Sequence, residues 1–206
     1  MSSVVLFALL FFPISFTPGP NMLLALSFGM SMGFKKTLPL ICGVLLGVFC
    51  VILLCGLGLG VFLSANETIF NVFMCACALY LGFLAFKMWR KAENIKFQST
   101  NISTKFKALF FYGLTSCLSN AKSWACFVAL LPAFLDKANP LNAQLALIIL
   151  AALLIEFINM SIYTLGGIVL RKVLVKHAIL LQRISALLIV FIAILMLLSV
   201  FFNVKI

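Results

Sequence analysis

Charge is what this sequence has least of. Of 206 residues only 9% are Asp, Glu, Lys or Arg, and just four are acids. A soluble domain carries about 25% charged and about 45–50% apolar residues. Here 65% are hydrophobic, 22 are Phe and the mean hydropathy is +1.28. Such a composition cannot wrap one watertight core of ordinary size, so the chain resides in a bilayer. Room is short as well. At about 20 residues per transmembrane helix, residues 1–206 are expected to hold at most six or seven spans, a single transmembrane domain with no separate soluble one. Histidine is nearly absent: the lone His177 stands among bases at the end of an apolar run and reads as interfacial rather than as a ligand. The cysteines, Cys42, Cys50, Cys55, Cys75, Cys77, Cys117 and Cys126, all fall in apolar stretches, where Cys acts as a small hydrophobe. No metal, no cofactor and no disulfide framework is expected. The N-terminus, Met1 to Phe16, lacks a charged start and a small-residue cleavage pattern and runs through Pro-Gly-Pro into more apolar sequence, so it is expected to be a retained span.

What is abundant is basic charge relative to acid, fifteen Lys and Arg giving a net charge of +11. These bases sit between apolar runs rather than on a reading surface, which speaks against nucleic acid and for membrane topology. The apolar runs and their breakers outline six spans, at about 3–33, 39–63, 68–89, 108–135, 141–170 and 178–203. Twelve of the fifteen bases fall at odd-numbered connections: Lys35 and Lys36; Lys87, Arg90, Lys91, Lys96, Lys105 and Lys107; Arg171, Lys172, Lys176 and Arg183. Connections one, three and five are therefore expected in the cytoplasm and both termini outside. The third connection, about 91–105, is Ser/Thr-rich and forms a linker between halves of about 1–90 and 106–206. Three spans per half means that the second half enters from the opposite side. If the halves share a fold, this all-α polytopic membrane protein is a 3+3 inverted repeat with broken first and fourth helices.

Three interruptions carry chemistry. In the first span, Pro18 and Pro20 around Gly19 lack N–H groups, so the carbonyls of Ile14 and Phe16 lose their helical donors. Such freed groups at bilayer depth must be buried in protein or line a wet cavity. A half-helix starting near Pro20 turns its positive dipole end and Asn21 into the membrane, a seat for a carboxylate. A simple packing kink is the alternative, but two prolines remove more bonds than a kink requires. In the fourth span, Ser116-Cys117-Leu118-Ser119-Asn120-Ala121-Lys122-Ser123 places an ammonium fifteen residues past Lys107, about 22 Å along a continuous helix. Lys122 either snorkels or marks function, and from that depth its stem reaches only part of the way to a surface. In the fifth span Glu156, the one acid within the apolar segments, is followed by Asn159 and Tyr163 at i+3 and i+7. That stripe should face the protein interior, with Glu156 and Lys122 as natural partners. The pair reads equally as a structural brace or as part of a relay: unpaired, Glu156 could carry a proton, and paired with a charged Lys it stays ionised. Gly29 and Gly33, Gly43 and Gly47, and Gly56 and Gly60 lie four apart, spacing for close helix packing within one protomer or, alternatively, for a homo-oligomer; Gly166 and Gly167 serve similarly or loosen the fifth span.

The strings FTPGPNMLLALSFGMSMGFKK, LSNAKSWACFVALLPAF and EFINMSIY, with Gly43 and Gly47 between the first two, resemble the lysine exporter superfamily, in its branch named for homoserine and threonine resistance. The resemblance spans nearly the whole chain. It implies a bacterial inner-membrane secondary transporter that exports small neutral amino acids or derivatives, of the threonine, homoserine, cysteine, O-acetylserine or leucine type, driven by protons. The matching positions are Pro18, Gly19, Pro20 and Asn21, then Asn120 and Lys122, then Asn159. Ala121 stands where many relatives have Pro and Thr37 where they have Gly, a pattern similar to the cysteine and O-acetylserine exporters. Glu156 matches no family motif. The expected substrate site is thus Pro18, Gly19, Pro20, Asn21, Asn120, Lys122, Asn159 and Tyr163, with Glu156 and Lys122 as proton-coupling residues or ion pair; the partners are an amino acid, protons and lipid. Two other classes remain: an accessory membrane subunit, and an intramembrane hydrolase in which Ser119 or Ser123 is activated by Lys122, though nothing supplies an oxyanion hole.

Overall fold

The computed structural model describes residues 3–65, 67–90, 105–134 and 143–202. Most of the third connection, 91–104, and the segment 135–142 lie outside the described residues. Eight helices and no strand occur among those described: α1 (Ser3–Phe16), α2 (Pro20–Met32), α3 (Phe34–Ala65), α4 (Glu67–Arg90), α5 (Phe106–Leu118), α6 (Ala121–Phe134), α7 (Ala143–Lys176) and α8 (Ala178–Phe202). Stretches Phe34–Gly58 and Ala143–Gly167 are each long and apolar enough to cross a membrane, and α1 with α2, bent by 60°, form a third candidate if counted as one broken span. Large apolar side chains such as Leu79, Leu165 and Val169 point outward, as they do where lipid replaces water as solvent.

Both expected breaks are present, after Phe16 and after Leu118. Two boundaries differ from expectation. The second apolar run begins as helix at Phe34 rather than near 39, so Pro39 lies inside α3. Near the start of a helix a proline removes few hydrogen bonds, so it does not end the element. The fifth run continues to Lys176 through a kink at Gly167, whose φ of 47° belongs to the left-handed region that favours glycine. That kink is the loosening read from the Gly-Gly pair.

The helices pair across the middle of the chain. The most extensive packing is α3 on α5, then α4 on α8, α2 on α7 and α1 on α7. Glycines set the closest of these approaches. A Cβ on Gly43 would stand 2.0 Å from the Phe110 carbonyl oxygen, and one on Gly113 would stand 2.2 Å from that of Leu40, so α3 and α5 touch backbone to backbone. On the other flank a Cβ on Gly29 would lie 2.4 Å from Thr164 O, joining α2 to α7. The contacts of Gly29 and Gly43 are made within one protomer, the first of the two uses expected from their spacing; Gly113 belongs to no such spacing. Gly33 is the exception: nothing lies within 4 Å of its added Cβ, and its φ of 80° makes it the C-cap that ends α2 rather than a packing surface. An aromatic column, Phe7 with Phe11 at 5.4 Å, Phe11 with Phe127 at 5.2 Å and Phe7 with Phe134 at 5.6 Å, ties α1 to α6 beside the two breaks.

Candidate functional site

The break in the first span has two carbonyls to satisfy, those of Ile14 and Phe16. Both are. Thr17 Oγ1 donates to Ile14 O at 2.6 Å, and Tyr163 Oη donates to Phe16 O at 2.7 Å from α7. The ammonium of Lys122 closes the same end from α6, donating to Thr17 O at 3.0 Å and to Thr17 Oγ1 at 2.6 Å. A cation at the carbonyl end of α1 also complements that helix's dipole. Removing one of these donors leaves an orphan carbonyl, so Tyr163→Phe is expected to lower stability by about 1–3 kcal/mol, read as earlier thermal unfolding in detergent, with the ring's T-shaped contact to Phe16 kept.

The break between α5 and α6 is closed by its own neighbours. Trp124 Nε1 donates to Leu118 O at 2.8 Å, and Asn120 caps α6, its Oδ1 accepting the Lys122 backbone N–H at 3.1 Å and its carbonyl that of Ser123 at 2.9 Å. The start of α2 is different. Gly19 is its N-cap and makes no side-chain cap bond, and Pro20 occupies the first helical position. Asn21 Oδ1 accepts the Ser116 hydroxyl at 3.0 Å, and of the two Asn21 amide N–H donors one is engaged by the Cys117 thiol.

Between the breaks is a cavity of about 40 Å³ lined by residues including Gly19, Asn21, Asn120, Lys122 and Glu156, with Phe11, Met22, Val48 and Phe127 as apolar wall. Five of the sequence-derived site residues therefore meet at one place. Tyr163 and Asn159 stand behind it, both fully buried, holding the ends of the broken span. Pro18 and Pro20 shape the break without lining the cavity.

Glu156, 6% exposed, lies on the inward face of α7 as its spacing from Asn159 and Tyr163 indicated. The expected ion pair with Lys122 is not made. Glu156 Oε2 instead accepts the hydroxyl of Ser15, whose oxygen in turn accepts Asn159 Nδ2–H at 3.1 Å. Lys122 is held by Thr17. The carbonyl and hydroxyl of Thr17, fixed in the break beside the ammonium, take the donors that the carboxylate was expected to take. Ser15 and Thr17 carry no sequence signal of these roles beyond the hydroxyl beside Pro18, the local donor that a freed carbonyl requires and that Thr17 supplies to Ile14 O. The Ser119 hydroxyl donates to Thr115 O at 2.8 Å rather than meeting the Lys122 amine.

The chain is 29% identical over 150 residues to an uncharacterized membrane protein of Vibrio cholerae serotype O1, covering 73% of each chain. It is 26% identical to the homoserine/homoserine lactone efflux protein of Salmonella typhimurium, again over 73% of each. To the leucine efflux protein of Klebsiella pneumoniae it is 30% identical over 153 residues, 73% of this chain and 72% of that one. No solved structure matches. The model of the LysE type translocator family matches residues 12–200, and the chain belongs to that family of membrane transporters.

Proposed function

We propose that this protein exports a small neutral amino acid or derivative, of the threonine, homoserine, cysteine, O-acetylserine or leucine type, across the bacterial inner membrane in exchange for protons. One observation carries the reading: the uncapped start of α2, the Asn21 amide and the Lys122 amine converge on one partly apolar cavity between two broken helices. Free N–H groups at a helix N-terminus, a neutral amide and an ammonium together suit a carboxylate. The wall of Phe11, Met22, Val48 and Phe127 suits a modest side chain. The efflux proteins among the relatives support amino acids as cargo. Asn120 and Asn159 contribute by fixing the helix ends that carry these groups, and Glu156 is the acid available for proton coupling.

The architecture in this reading is six spans, with α1–α2 and α5–α6 as the broken first and fourth, in a 3+3 inverted repeat of halves 1–90 and 106–206. Exchange of the halves turns α3 on α5 into α7 on α1, turns α2 on α7 into α6 on α3, and returns α4 on α8 to itself; each of these pairs is packed. That pattern favours two related halves rocking about a central site. Connections one, three and five face the cytoplasm by the distribution of bases. A cavity of about 40 Å³ admits a few waters and no amino acid, so the halves must part for cargo to enter.

The deciding measurement is pH-gradient-driven uptake of radiolabelled amino acids into everted inner-membrane vesicles. Saturable, gradient-dependent uptake of one of them is the expected result. Its absence for every amino acid, with the protein inserted and folded, would transfer the weight to an accessory role.

A further inference from the structure

The cavity holds a cation and an anion that do not touch. Lys122 spends two of its three ammonium N–H donors on Thr17 and retains one. Glu156 is fixed more tightly. Because Asn159 Nδ2–H donates to Ser15 Oγ, the Ser15 proton is directed away from Asn159 and onto Glu156 Oε2. The chain of bonds has one direction, and it makes Oε2 an acceptor. Oε1 carries no hydrogen bond among the described residues, and Glu156 is part of the cavity wall. One free donor on a cation and one free acceptor on an anion thus face the same small space from α6 and α7. Among the described residues no other charged group shares it: α6 adds the thiol of Cys126, α5 places Cys117 nearby, and the residues that line it from α1, α2, α3 and the break are apolar or neutral, with Ser15 and Asn21 as the polar ones.

We infer that Glu156 Oε1 receives the α-ammonium of the exported amino acid, and that a proton occupies this same oxygen when the substrate is gone. The inference rests on the export reading above and specifies how coupling arises within it. An α-amino acid carries its opposite charges within a few bonds of each other, so it can bridge two side chains that are close without being in contact. With substrate bound, its carboxylate takes the third N–H of Lys122 and the Asn21 amide, and its ammonium takes Oε1. Deprotonated and empty, the site would hold an unpaired buried carboxylate, which is costly. Filling it either with an ammonium or with a proton removes that cost, and the two cannot coincide on one oxygen. On the outer side a proton takes Oε1 as the amino acid leaves; on the cytoplasmic side that proton departs as the next ammonium arrives. One neutral zwitterion then leaves for each proton that enters. Cargo lacking a free α-amine, an N-acetyl amino acid or a 2-hydroxy acid, fails to neutralise Glu156 and is refused.

The test uses the full-length protein in everted vesicles and in detergent, with the substrate found from the amino-acid panel. For the unaltered protein, the apparent KM is expected to rise as the medium is acidified, toward about tenfold per pH unit, with Vmax little changed. Addition of substrate to purified protein in weak buffer should release close to one proton per molecule bound. Glu156→Gln should abolish gradient-driven uptake and proton release, while Glu156→Asp retains proton release. A KM independent of pH in the unaltered protein overturns the inference without reference to any variant. So does a folded Glu156→Gln protein that still accumulates substrate against a gradient, or efficient export of the N-acetyl derivative. Each of those results leaves amino-acid export standing, whereas failure of the unaltered protein to transport any amino acid removes the export reading itself.

Discussion

Lys122→Ala reduces pH-gradient-driven uptake into everted vesicles to background while leaving the amount of protein in the membrane near that of the unaltered chain. The ammonium is the one cation that borders the cavity among the described residues, and a charge-assisted hydrogen bond contributes about 1.5–3 kcal/mol, so its loss weakens carboxylate binding by roughly 10- to 150-fold. The amine also serves the fold through Thr17 O and Thr17 Oγ1. That second role argues for lost abundance, and its size decides between the two. Thr17 Oγ1 keeps its bond to Ile14 O without Lys122, and the space left by the lysine side chain opens onto the cavity that Lys122 lines, from which water can replace the lost donor. Alanine at 122 therefore costs little folded protein and nearly all transport. Immunodetection of the membrane fraction beside the uptake assay checks both halves of the expectation; near-normal uptake by this variant would remove the carboxylate role.

Gly43→Ala is the largest expected loss of stability. The added carbon would stand 2.0 Å from Phe110 O and 2.9 Å from Leu114 N, both backbone atoms that cannot rotate aside. Helices α3 and α5 must part, and with them the contact of Gly113 on Leu40. Overpacking at a site that does yield costs about 1–3 kcal/mol, and a backbone-to-backbone clash belongs at the upper end, a fall in Tm of roughly 6–12 °C for a chain of this size. Gly58, in the same helix, has nothing within 4 Å of its added Cβ. Gly58→Ala is therefore the control, expected to leave Tm unchanged or slightly raised, since alanine is the better helix former. Equal effects from the two substitutions would mean that glycine acts here through helix propensity and not through approach.

The contrast between these two glycines marks where sequence stops being informative. Spacing of four identifies Gly43 and Gly47 as a packing edge, and the same spacing at Gly29 and Gly33 suggests another, yet Gly33 is a left-handed cap whose need for glycine comes from the turn between α2 and α3. Gly113, unpaired in sequence, makes one of the closest approaches in the molecule. The broken first span is legible from Pro18 and Pro20 alone, down to which two carbonyls lose their donors, because a missing N–H is a local fact. Which groups replace those donors is not local for Phe16, whose partner is 147 residues away. The interior stripe of Glu156, Asn159 and Tyr163 follows from helical periodicity. The pairing of Glu156 with Lys122 does not survive, since opposite charge in neighbouring spans says only that two groups can meet, and Thr17 and Ser15 stand nearer to each. Asn120 shows the same limit: its match to a family position singles it out, and its work as the α6 cap is visible only once the fourth span is seen to break.

The two breaks differ in one respect that bears on how the protein is made. The α5–α6 break closes its own gap through Asn120 and Trp124, residues at hand as soon as α6 is synthesised. The first does not. Its Phe16 carbonyl awaits Tyr163, and Thr17 awaits Lys122, 105 residues on. At roughly 5–20 residues per second, the ribosome takes about 7–30 s to cover the distance from Phe16 to Tyr163. Throughout that interval the N-terminal half holds a backbone defect that it cannot repair, in a setting where exposed carbonyls are penalised. The α1–α2 break therefore reaches its finished form only after α7 has been made, and packing of α7 on α1 is a condition for that break to be complete.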